Sequence, residues 1–114
     1  MKIVINADYG GFGLSNEAVR EYGKRKGLNL VERTDKSDFI FFYENEIKEE
    51  NFFSEQDIPR NDPILVETVE ALTAEKAGNR FSTLKVVEVP DDVDWYIEEY
   101  DGDEWVAERH RTWR

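Results

Sequence analysis

The stretch from Met1 to Gly27 constrains this chain more than any other. An apolar run, MKIVIN, leads into ADYGGFGLS with three glycines and then into NEAVREYGKRKG. The first run is short, β-branched and bounded by Asn6 and Asp8, the pattern of a buried strand that ends in a turn. Ser15 suits a helix N-cap, because its hydroxyl can accept from a free first-turn amide, and Glu17 complements the positive end of the helix dipole. Leu14, Ala18, Val19 and Tyr22 fall on one face, Lys24, Arg25 and Lys26 enrich the last turn, and Gly27 can take the left-handed conformation that closes a helix. The stretch predicts a strand–turn–helix unit, with function expected at its bend.

The remaining chain alternates in the same way. LNLVE predicts a second strand and RTDKSD a turn. FIFFYENE, apolar on both faces from Phe39 to Tyr43, predicts a central strand covered on both sides. Residues 44–57 carry six acids against one lysine with no clean period, which predicts a surface loop with Phe52 and Phe53 tucked beneath it; exposed, they would mark a partner site. Asp62 as cap and Pro63 at the first helical position open a helix running to Gly78 and Asn79, with Leu65, Val69 and Leu72 on its buried stripe. FSTLKVVEVP alternates into a strand stopped by Pro90. Asp101-Gly102 then lies between WYIEEY and DEWVAE, a pair favoured in two-residue hairpin turns. That register sets Ile97 against Val106 and Tyr96 against Ala107, but also opposes Glu99 and Glu104, whose repulsion argues for a longer turn. A short helix over EWVAERHRTW is the alternative.

These elements predict one α+β domain over residues 1–114: a mixed sheet of five or six strands, two helices on one face, and a C-terminal β-hairpin. A chain of 114 residues buries an adequate core as one domain and not as two. With no cysteine there is no disulfide, thiolate metal site or cysteine nucleophile, in keeping with a reducing cytoplasm. No apolar run is long enough for a membrane span or a secretory signal, so a cytoplasmic location is expected.

The net charge of −11 disfavours direct binding of DNA or RNA over a broad face. The acids cluster in 44–57 and in 91–104, where eight acids and no base are interleaved with large rings. Such a cluster fits a partner with a basic nucleic-acid-binding groove, with carboxylates to steer and rings to hold. The candidate partner-binding residues are Trp95, Tyr96, Tyr100, Asp101, Asp103, Glu104 and Trp105. The alternative reading is nucleotide or second-messenger capture at the glycine turn. There, free amides at a helix start can hold phosphate, through Tyr9, Gly10, Gly11, Phe12 and Ser15 with Arg109 or Arg111. Gly10, Gly11 and Gly13 do not match the dinucleotide fingerprint or the phosphate loop. The acids are too many for any pair to stand out as general acid and base, and His110 has no second histidine to share a metal. No catalytic residue, metal ligand or cofactor is therefore assigned.

The opening IVINADYGGFGLS and the closing VPDDVDWYIEEYDGDEWVAERHRTW together resemble a family of small proteins encoded by phages, prophages and bacterial genomes. YGGFGLS and an EYDG segment followed by an HR-x-W end carry the likeness, which spans the chain. The resemblance implies a phage-borne setting and, as for many small acidic phage proteins, an anti-defence role as an inhibitor of a host or defence protein. It carries over no catalytic residue. The reading that follows is a small acidic non-enzymatic protein-binding module.

Overall fold

Ile3, Val4 and Ile5 do form a buried strand, β1 (Lys2–Asn6), in a computed structural model that describes residues 1–109. Helix α1 (Asn16–Lys26) follows as its signals require. Ser15 Oγ accepts from Ala18 N at 3.0 Å, and Gly27 closes the helix with φ 80°. The chain continues through β2 (Leu30–Thr34), β3 (Ile40–Glu44), a two-residue β4 (Phe52–Phe53) and helix α2 (Pro63–Leu72). A short α3 (Ala74–Ala77) and strands β5 (Leu84–Glu88), β6 (Trp95–Tyr100) and β7 (Asp103–Glu108) complete it.

The fold is α+β with the expected C-terminal hairpin, but its strands divide differently. One mixed sheet of five or six strands gives way to three antiparallel sheets among the described residues: β1–β5, β2–β3–β4 and β6–β7. Local turns explain the division. The Asp35 carboxylate accepts from Ser37 N and Phe39 N, folding β2 directly back onto β3. Among the described residues the second edge of β1 is closed without a strand. Val4 N donates to Arg60 O at 2.8 Å, Arg60 Nη1 donates to Val4 O at 3.2 Å, and Asn6 N donates to Glu104 Oε1 at 2.8 Å.

The core lies where α1 and α2 meet β1, β3 and β5: Val4, Val19, Tyr22, Phe42, Leu65 and Leu84 are all buried in one cluster. Burying a side chain such as Leu65 is worth about 1.5–3 kcal/mol. Asp62 joins the helices as well as capping α2, since it accepts from Ile64 N at 2.8 Å and from Tyr22 Oη at 2.8 Å and pairs with Lys26 Nζ at 3.1 Å. Burial and this bond to Asp62 both push the Tyr22 phenol up, so it stays a donor.

Two expectations need correction. The second helix does not run to Gly78; it breaks at Thr73, which stands at φ 78°, ψ 161°. The break turns α3 back so that Ala77 O accepts from Ser15 N at 2.8 Å and Gly78 bridges Leu14, fastening the start of α1. The 44–57 segment is structured, with two 3₁₀ turns around β4. Phe53 tucks against the core, its ring 6.1 Å from Tyr22, but Phe52 is half-exposed beside Tyr43. Strand β3 is central within its own three-stranded sheet, while Phe39 lies just outside it and is exposed. No helix among the described residues is long and apolar enough to cross a membrane.

Candidate functional site

The hairpin is built on the two-residue turn. Asp101 at φ 51° and Gly102 at φ 90° give the doubly left-handed geometry that matches the twist of antiparallel strands. The register is Tyr96↔Ala107, Ile97↔Val106, Glu98↔Trp105 and Glu99↔Glu104, so the turn is not lengthened. Charge repulsion between Glu99 and Glu104 fails to lengthen it because Glu104 turns inward to a cation. Its carboxylate is buried and held two-pronged by Arg60, Nη1 to Oε1 at 2.6 Å and Nη2 to Oε2 at 2.9 Å. Arg60 in turn lies over the Phe12 ring, its guanidinium carbon 3.6 Å from the centroid. The helix alternative fails for Trp105 to Glu108, which are strand; its remainder past Arg109 lies outside the described residues.

Alternation then sorts the hairpin into two faces. Trp95, Ile97 and Val106 share the inward face with Glu104, and so do Glu99 and Glu108, which stay exposed. The outward face carries Tyr96, Glu98 and Tyr100 on β6 and Asp103, Trp105 and Ala107 on β7. Tyr100 is 68% and Trp105 43% exposed. Glu98 ties the rings together, accepting from Tyr96 Oη at 2.8 Å and from Trp105 Nε1 at 3.0 Å. The bond to Glu98 is the main cause that pushes the Tyr96 phenol up from its ordinary value. Arg109 lies 5.4 Å from the Tyr96 ring. Of the seven candidate partner-binding residues, Tyr96, Tyr100, Asp103 and Trp105 therefore share one face and Asp101 stands exposed at the tip. Trp95 and Glu104 belong to the other side.

The glycine turn is engaged by the same hairpin. Gly10 N donates to Asp101 O at 3.0 Å, Asn6 Nδ2 donates to Gly102 O at 2.8 Å, and a Cβ on Gly102 would collide with the backbone of Gly10 and Gly11. Gly10 and Gly11 take φ 116° and 92°, Tyr9 is exposed, and Phe12 is buried beneath Arg60. Ser15 Oγ is spent on Ala18 N and on Lys76 O, to which it donates at 2.7 Å. Arg109 sits at the open end of the hairpin, seven residues of extended chain or about 20 Å from the turn at Gly102, and Arg111 lies outside the described residues. The ligand-capture residues are thus not brought together around an open amide cradle.

Sequence reasoning missed Asn6, Glu98 and Arg60. The hairpin register held one signal for the last: it places Glu104 on the face of Trp95, Ile97 and Val106, and a carboxylate buried there demands a cation. No three or more His, Cys, Asp or Glu side chains among the described residues are arranged to hold a metal. Comparison with protein-family models, with curated proteins and with solved structures returns no match.

Proposed function

We propose that this chain is a small acidic, non-enzymatic protein-binding module of the cytoplasm, a phage-encoded inhibitor that engages a host nucleic-acid-binding or defence protein through a basic groove. The outward face of the hairpin carries the reading. Tyr96 and Trp105 are pre-oriented by Glu98 and Tyr100 stands clear, so a partner meets ordered rings that lose little freedom on binding. Asp101 and Asp103 beside them supply the attraction, which in a chain of net charge −11 reaches a basic surface from beyond contact.

The test is affinity capture from bacterial lysate at low and high salt, followed by competition with nucleic acid for the retained protein. A basic nucleic-acid-binding protein should be retained, be lost as salt rises, and be displaced by its own nucleic acid. Replacing Tyr100 and Trp105 by alanine should abolish retention, and Asp101→Asn with Asp103→Lys should weaken it at low salt. Retention that survives both pairs of changes refutes the hairpin as the binding face.

A further inference from the structure

Strand β3 pairs with β2 over its whole length but with β4 only at Phe42↔Phe53 and Tyr43↔Phe52. Two bonds fix which way its peptide groups point. Phe39 O accepts from Asp35 N at 3.0 Å and Asn45 N donates to Asn29 O at 2.8 Å, so odd-numbered residues face β2. Ile40 therefore presents its N–H and C=O to the other side. Continuing the β4 register, the residue due opposite Ile40 is Glu55, but there the chain has already turned into a 3₁₀ helix, with Ile58 N taking the Glu55 carbonyl at 3.2 Å. The ladder stops one step short, and among the described residues Ile40 has no strand partner on that side.

A notch opens where β4 ends. It is about 210 Å³ and reaches both faces of the sheet, with Phe41 and Phe52 from one and Phe42 and Phe53 from the other. It shares Leu14, Asn16, Ile40 and Glu55 with a wider groove of about 630 Å³. Phe39 and Phe81 line that groove with rings 67% and 58% exposed. Asp38, Glu55 and Arg80 also line it, the guanidinium 5.3 Å from the Phe81 ring, and none of the three forms an ion pair among the described residues, so carboxylates outnumber the cation in a chain that is acidic as a whole. Open main-chain groups select an extended strand, exposed rings select apolar side chains, and unpaired carboxylates select cations. A second copy of this chain matches the first two demands and fails the third, since two bodies of charge −11 repel.

We propose that this edge takes an extended basic peptide segment of alternating cationic and apolar residues, which prolongs β4 along β3 by pairing with Ile40 and lodges an apolar side chain against Phe39 and Phe81. The site is separate from the outward hairpin face and stands or falls without it.

The experiment is an NMR titration of the ¹⁵N-labelled full chain with a capped Lys-Val alternating octapeptide. Capped Glu-Val and Lys-Pro octapeptides serve as controls, the second keeping the charge but lacking every other amide donor. Lys-Val should shift the amides of Phe39 to Phe41 and Asn79 to Phe81, slow hydrogen exchange at Ile40, and bind at least about tenfold tighter than either control. Asp38→Asn, which suits the left-handed φ of 64° there, with Glu55→Lys should weaken Lys-Val binding about fivefold or more at low salt. Phe81→Ser, a change at an exposed ring, should weaken it at any salt. Equal binding of Lys-Pro would reduce the effect to bulk charge and overturn the proposal, as would shifts confined to the hairpin or no shift at all. Concentration-dependent protection of Ile40 without peptide would assign the edge to a second copy and overturn it equally.

Discussion

Glu104 holds the hairpin to the core, and its removal should be the most damaging single change on the hairpin. The carboxylate accepts three bonds: from Arg60 Nη1 at 2.6 Å, Arg60 Nη2 at 2.9 Å and Asn6 N at 2.8 Å. Its side chain is 6% exposed and that of Arg60 18%. Glu104→Ala would strand the guanidinium over Phe12 and leave a buried amide at Asn6 without its acceptor. Breaking such a pair from one side costs about 3–5 kcal/mol, whereas replacing both partners by apolar groups is often close to neutral. Arg60→Met with Glu104→Leu should therefore lose less than the two single changes added together, by a coupling of about 2 kcal/mol or more. Urea denaturation followed by tryptophan fluorescence measures the four proteins of this cycle and Glu104→Ala beside them. With a slope of about 1–3 kcal/mol per molar, Glu104→Ala should lower the midpoint by about 1–5 M. A loss below about 1 kcal/mol, or single changes that simply add, would refute the pair as the hairpin's anchor.

Gly102→Ala should destabilise by about 2 kcal/mol or more, because φ 90° is unfavourable for alanine and its Cβ would strike Gly10 and Gly11; Gly27→Ala, at φ 80° with open space around it, should lose only about 1 kcal/mol in the same urea assay. Thr73→Gly should raise the melting temperature by about 4 °C, since an exposed β-branched residue at φ 78°, ψ 161° gives up backbone strain worth about 1–3 kcal/mol against a smaller rise in unfolded-chain freedom. Acid should weaken the fold through Asp62. Burial opposes its ionisation, but bonds from Tyr22, Ile64 N and Lys26 prevail and hold its carboxyl below the ordinary 3.8. Its contribution is then fully present above pH 3.8 and lost as pH falls through the depressed folded value, so urea midpoints measured down that range should fall less steeply for Asp62→Asn than for the parent chain.

Legibility followed the range of the interactions. Helix α1 was readable because its cap, dipole charges and closing glycine all lie within one stretch, and the hairpin register because Asp101-Gly102 fixes it within two residues. The sheet partition was not readable. Whether β1 pairs with a second strand or ends against Arg60 and Glu104 is decided by groups 56 and 98 residues away from Val4 and Asn6. The break at Thr73 was hidden for a related reason, as Ala74, Glu75 and Lys76 suit a helix locally and only the contact of Ala77 and Gly78 with Leu14 and Ser15 calls for the turn. At the candidate site the rings were legible and their faces were not: Trp95 and Trp105 look alike in sequence, and the buried carboxylate of Glu104 decides which of them looks outward.

The same sorting separates the hairpin's acids by role. Glu104 is consumed by Arg60 and serves the fold. Glu98 is consumed by Tyr96 and Trp105 and sets the ring positions, so its neutralisation would loosen the proposed binding face without removing it. Asp101 and Asp103 form no ion pair among the described residues, which leaves their field free to act on the proposed partner. Asp101 also occupies a left-handed position at φ 51°, where asparagine is tolerated as readily as aspartate and lysine is not. Charge reversal spread over Asp101, Asp103 and Glu104 together would unfasten the hairpin from Arg60 and so mimic a loss of steering. Asp101→Asn with Asp103→Lys changes the field and leaves the anchor in place, and only against that background does a change in salt dependence report on recognition.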